Sequence, residues 1–171
     1  IQQDVTEVAR CFTGWTIDRP QQGGGFRFEP RLHDPGRKMV LGREVSAGGE
    51  RDGLEVLDRL ARHPSTARHL ATKIARRFVA DDPPASLVER AAARFTETDG
   101  DIAEVVRLVL TSPEFRAPEA RRAKLKTPLE FVASALRATG AEVGDARGAL
   151  ATLRELGMAP YSCQPPTGYA D

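Results

Sequence analysis

From residue 51 to residue 157 the chain is cut by prolines, glycines and capping residues into short amphipathic segments whose apolar residues recur at helical spacing. This punctuation constrains the fold more than any other feature, because a helix-period pattern cannot serve as a strand and no strands alternate with it to build a parallel sheet. The clearest segment starts at Pro64. Proline suits the first helical position, where its missing N–H would be unpaired anyway, and Ala67, Leu70, Ala71, Ile74 and Phe78 form one apolar stripe behind it. From Arg51 onward Leu54, Leu57, Asp58 and Ala61 predict a preceding helix that stops before Pro64. Asp81-Asp82-Pro83-Pro84 ends the stripe, and Leu87, Val88, Ala91, Ala92 and Phe95 define the next segment. Asp101 is placed to cap a helix through Ile102, Val105, Val106 and Val109. Ser112-Pro113-Glu114 reads as the start of a single turn. Thr127-Pro128-Leu129-Glu130 is a capping box with proline at the first helical position, leading to Val132, Ala133 and Leu136 and stopping at Gly140. A last helix spans about 145–156, with Gly157 at its end.

The N-terminal part reads differently. Val5, Val8 and Phe12 mark a short helix closing near Gly14. Phe26-Arg27-Phe28 and Met39-Val40-Leu41 then flank the turn sequence Asp34-Pro35-Gly36-Arg37, which predicts a β-hairpin with a long or bulged loop. The fold class that follows is mainly α: about seven short helices with one small antiparallel hairpin near the N-terminal end. The hairpin region covers about 24–44, the helical region about 50–157, and an irregular tail 158–171. The 171 residues amount to a single domain or a fragment of a larger one, with enough chain to bury about 70% of its unfolded surface.

Charge narrows the function classes. Lys and Arg total 25 against 24 Asp and Glu, a net charge of +1, which disfavours a general nucleic-acid or anionic-membrane binder. No run approaches 18 apolar residues, so no transmembrane segment is expected. The neutral sum hides segregation: residues 61–80 hold 5 basic groups and no acidic ones, 81–115 hold 3 against 8, and 116–126 hold 5 against 1. One reading is that neighbouring helices complement each other across solvated faces; the other is an anion-binding face. His69, Lys73, Arg76 and Arg77 share the polar side of the Pro64 helix and repel unless something negative lies opposite. Internal counter-charges are Asp81, Asp82, Glu89 or the acids of 97–104; an external anionic ligand is the alternative.

Chemistry gathers at the expected hairpin tip, where His33, Asp34 and Lys38, with Arg37, bring an acid, a base and a cation together. His33 and Asp34 could shuttle a proton or contact a divalent metal, although a metal ordinarily takes three or four protein ligands. The plainer reading is that Asp34 caps the Pro-Gly turn and His33 is exposed. Otherwise no cofactor is expected. Trp15 and Tyr169 are either ligand-stacking groups or half-buried anchors. Cys11 and Cys163 lack zinc-site spacing and would pair only in an exported protein. Asp99-Gly100-Asp101 fails the calcium-loop order, and no nucleotide-binding glycine motif occurs.

Several strings together resemble a large bacterial family, domain of unknown function 1800. They are Ala9-Arg10-Cys11-Phe12-Thr13-Gly14-Trp15-Thr16, Phe26, Phe28, His33-Asp34, Gly36, Lys38 and Leu41-Gly42, then His63-Pro64-Ser65-Thr66-Ala67-Arg68, Arg76-Arg77-Phe78-Val79 and Asp82-Pro83-Pro84. Gly100-Asp101-Ile102, Ser112-Pro113-Glu114-Phe115, Lys126-Thr127-Pro128-Leu129-Glu130-Phe131 and Pro165-Pro166-Thr167-Gly168-Tyr169 continue the same order. The resemblance covers nearly the whole chain and carries no catalytic residues with it. It implies a periplasmic or secreted protein, longer than this chain, with a segment upstream of Ile1.

Two functional readings remain open. In the first, a helical binding or assembly module uses Trp15, the hairpin tip and the Arg76 region, with Tyr169, to meet another exported protein or a surface polymer. In the second, a hydrolase uses an acid–base or metal site around His33 and Asp34, completed by upstream residues. A concave pocket holding His33, Asp34, Lys38 and Trp15 would favour the enzyme; side chains splayed on a convex surface would favour the module.

Overall fold

The computed structural model describes residues 2–45, 48–165 and 168–169, so Pro166 and Thr167 of the tail motif and the last two residues of the tail lie outside the described residues. Helix α1 (Gln2–Cys11) leads into strand β1 (Trp15–Ile17), followed by β2 (Phe26–Phe28), β3 (Lys38–Val40) and β4 (Arg43–Val45). The helices that follow are α2 (Arg51–Ala61), α3 (Pro64–Phe78), α4 (Ala85–Glu97), α5 (Ile102–Thr111), the single turn α6 (Pro113–Arg116), α7 (Pro128–Thr139) and α8 (Arg147–Glu155). The chain is mainly α, as its periodicity requires.

The hairpin is where sequence and structure part. Phe26–Phe28 and Lys38–Val40 are both strands, but they do not pair with each other. β2 pairs with β1, Trp15 opposite Phe28, and β3 pairs with β4, Val40 opposite Arg43. The Pro-Gly turn therefore connects two separate two-stranded ribbons. The second ribbon turns at Leu41-Gly42, both with positive φ (53° and 72°), the backbone of a type I′ turn whose twist matches paired strands. Glycine carries that conformation freely, whereas Leu41 is held in it by its surroundings. Asp4 and Glu7 of α1 accept hydrogen bonds from the backbone N–H groups of Leu41 (2.8 Å) and Met39 (2.9 Å), occupying the open edge of β3. From the other side Arg59 of α2 donates to the carbonyls of Val40, Arg43 and Glu44.

Two apolar clusters form. Cys11, Val40, Val45 and Val56 join α1, the second ribbon and α2. The larger cluster binds α3, α4 and α5 through Ala67, Ala71, Ala75, Leu87, Val88, Ala91, Phe95, Val105 and Val109. Alanine at every fourth position of α3 lets α4 approach closely, and each fully buried Leu or Val stabilises by about 1.5–3 kcal/mol. Phe78, expected in the α3 stripe, projects outward, and Ala75 fills the core in its place. The caps form as the sequence requires. Asp101 accepts from the N–H groups of Ala103 and Glu104, Ser112 from Phe115, and Thr127 with Glu130 makes a reciprocal capping box. No helix is long and apolar enough to cross a membrane among the described residues.

Candidate functional site

The loop after β2 returns towards α1 because Thr13 ties it there. The Thr13 hydroxyl donates to the Arg10 carbonyl (2.6 Å) and accepts from the Asp34 N–H (2.8 Å). His33 is thereby drawn inside. Its Nδ1 lies 2.8 Å from the Thr13 carbonyl oxygen, which can only accept, so Nδ1 carries a proton. The other ring nitrogen, Nε2, stands 3.2 Å from Oδ2 of Asp52, within ion-pair reach yet misaligned for a hydrogen bond. Lys38 comes to the same carboxylate from β3, its Nζ 2.8 Å from Oδ2, and also donates to the carbonyls of Asp34 and Gly36. The N–H of Gly48 donates to the remaining oxygen, Oδ1, at 2.6 Å.

This is a sealed network. The His33, Asp52 and Lys38 side chains are 5%, 4% and 2% exposed. Burial opposes ionisation of Asp52, but the Lys38 ammonium and the Gly48 N–H, with His33 behind them, outweigh it and hold the carboxyl below its usual range. Burial raises the Cys11 thiol, and the Asp52 charge adds to that effect.

The Asp34 side chain makes no hydrogen bond within this cluster, although its backbone carbonyl accepts from Lys38. Its carboxylate is gripped by the Arg10 guanidinium (2.8 and 3.3 Å) and accepts from the Gly36 N–H (2.8 Å), which holds its pKa at about 2. The turn-capping role is thus met, while His33 is buried rather than exposed. His33 and Asp34, adjacent in sequence, turn to different partners. Arg37 points away and pairs with Glu44. Trp15 stacks edge-on between Phe12 and Phe26, its indole against Gly53, where a Cβ would lie 2.4 Å from the ring. Tyr169 donates to the Ala159 carbonyl (2.6 Å), fastening the tail beside α8. Both cysteines are free thiols. Among the described residues no group of three or more His, Cys, Asp and Glu is arranged to hold a metal.

The second set of candidates lies elsewhere. Lys73, Arg76 and Arg77, at the C-terminal end of α3, line an open cleft of about 450 Å³ together with Lys124 and Lys126. His69 stands exposed one turn earlier. Arg77 pairs with Glu130 of α7, a residue outside the counter-charges expected from sequence, and Asp81 pairs with Lys124 and is also near Arg76.

The family model for a protein of unknown function, DUF1800, matches residues 1–171. The chain belongs to this family. No curated protein and no solved structure matches it. In this DUF1800 chain Arg10, Thr13, Trp15, Phe28, His33, Asp34, Gly36 and Lys38, on which the resemblance rested, gather in one place, where they knit α1 and both ribbons together. Asp52, the centre of that network, escapes sequence reading. At the second position of a helix an aspartate looks like a residue complementing the helix dipole, and nothing nearby announces that it is internal.

Proposed function

We propose that the protein is a non-catalytic binding or assembly module that packs against another polypeptide through its α7–α8 pair. The observation that carries this reading is that α7 buries none of its twelve residues, and α8 buries only Leu153. Leu125 is 84% exposed, Phe131 60% and Leu129 50%, and Leu150 and Leu156 are also open to solvent. Leu129 and Phe131 lie two positions apart, so α7 offers apolar side chains over a wide arc rather than along one seam. Apolar side chains exposed together in this way suit contact with another polypeptide.

The sealed His33–Asp52–Lys38 network supports the same choice. Lys38 and Asp52 spend their contacts on the protein's own backbone and side chains, and all three side chains are almost closed to solvent, which suits a structural stitch better than a site presented to substrate. The reading includes action outside the cytoplasm, as the family resemblance implies. It is tested with Leu129→Ser and Phe131→Ser. Both variants should keep the parent melting temperature yet lose a partner, identified by mass spectrometry, that co-purifies with the parent from the producing cell. A cooperative drop in melting temperature with unchanged co-purification would overturn the reading.

A further inference from the structure

The two most basic stretches of the sequence, residues 61–80 and 116–126, are separated by an acidic one, yet their cations meet. Lys73, Arg76 and Arg77 form one wall of the 450 Å³ cleft, and Lys124 and Lys126 the other. Among the described residues the carboxylates that line this cleft are Asp81 and Glu130, paired with Lys124 and Arg77 respectively, and Lys73 is engaged as well. The Glu130 carboxylate also closes the α7 capping box, so it is committed twice. Asp81 is held below its usual pKa chiefly by Lys124, with the Leu125 N–H and the nearby Arg76 assisting, and Glu130 chiefly by Arg77, so both acids remain ionised, while Arg76 and Lys126, the latter donating to the Ser134 hydroxyl, carry charge that no described ion pair takes up. Its lining is not purely polar, because Leu125, Pro128 and Met158 complete it. The N-terminal end of α7 opens on the same space, adding its positive dipole end.

The geometry points to a binding site for an acidic peptide segment, one whose carboxylates meet Arg76 and Lys126 while a neighbouring bulky apolar side chain rests on Leu125 and Met158. This inference rests on the reading of α7–α8 as a polypeptide-binding surface and names the chemistry of the partner. Guanidinium groups suit it because they grip carboxylates bidentately. The mixed lining favours a peptide over a bare anion, since inorganic phosphate would leave the apolar part of the cleft unused.

The test is fluorescence anisotropy of the full chain with a labelled Asp-Asp-Leu-Glu-Glu peptide and its Asn-Asn-Leu-Gln-Gln counterpart. The acidic peptide should bind, weakening as salt is raised, and the amide peptide should bind at least about tenfold more weakly. Arg76→Glu combined with Lys126→Glu should weaken the acidic peptide by about tenfold or more at unchanged melting temperature, and the milder Arg76→Gln should weaken it less. Equal binding of both peptides, or insensitivity to these substitutions, would overturn the cleft assignment. So would displacement of the peptide by an equal concentration of inorganic phosphate, or preference for anionic vesicles. If the acidic peptide fails while Leu129→Ser still loses its partner, the cleft assignment alone falls. If both fail, the binding-module reading falls with it.

Discussion

At the residue scale the decisive group is Asp52. It balances Lys38 directly, with Nε2 of His33 3.2 Å away, in a place almost closed to solvent. Removing one member of such a pair strands the other. Asp52→Ala is expected to cost about 3–5 kcal/mol in urea unfolding, because the Lys38 ammonium remains buried without its counter-ion. Adding Lys38→Met to that variant should recover part of the loss, since no stranded charge then remains. A double variant less stable than the single one would contradict the ion-pair account. Asp34 makes a different prediction. Its pKa is lowered from 3.8 to about 2 by Arg10 and the Gly36 N–H, so it contributes stability above pH 3.8 that disappears as pH falls through about 2. In thermal melts across that window the parent should lose melting temperature more steeply than Asp34→Asn. Parallel curves would show that the Arg10 contact is energetically idle.

At the element scale the ribbons are assembled by side chains from the helices beside them. Strands of three residues hold few ladder bonds, so α1 carboxylates, Arg59 and the Trp15 stack supply what the strands lack. Gly53 admits the Trp15 ring against α2. Gly53→Ala should destabilise the fold by about 1–3 kcal/mol through overpacking, measured by chemical denaturation, and Trp15→Phe should relieve part of the cost in the double variant. An alanine tolerated without loss would show that the close approach is not needed. The helices were legible because each announces itself within a few residues: Pro64, Asp101, Ser112 and the Thr127 box are local signals, and all act as read. The strand pairing was not legible. Three-residue strands give no alternation long enough to choose a partner, and the strong Pro-Gly signal drew Phe26–Phe28 towards Met39–Leu41, whereas β2 pairs with β1, and β3, which ends at Val40, pairs with β4. His33 and Lys38 stood out as residues with chemistry to offer. Their burial, and their meeting at Asp52, depend on contacts across 14 to 19 positions that no local pattern encodes.

At the scale of the whole molecule, charge and apolar surface are distributed unevenly. The acids of α4, α5 and α6 are largely used in pairs such as Arg90 with Glu114 and Arg94 with Glu104, the complementarity expected of neighbouring helices. Cations of α3 and of residues 124–126 line one cleft with α7 at its edge, where Arg77 pairs with Glu130 and Lys124 with Asp81. The N-terminal ribbons and α3–α5 have buried clusters of their own, while the α7–α8 pair leaves much of its apolar surface uncovered. This asymmetry is the basis for assigning the binding role to the C-terminal helices and a structural role to the His33 network. The most direct test replaces Phe131 with a photo-crosslinking amino acid in the full-length protein, in the cell that makes it, with the exposed Ile17 of β1 as the control position. The expected result is one defined polypeptide adduct from position 131 and none from position 17. Absence of an adduct at 131, or equal capture from both positions, would contradict the assignment.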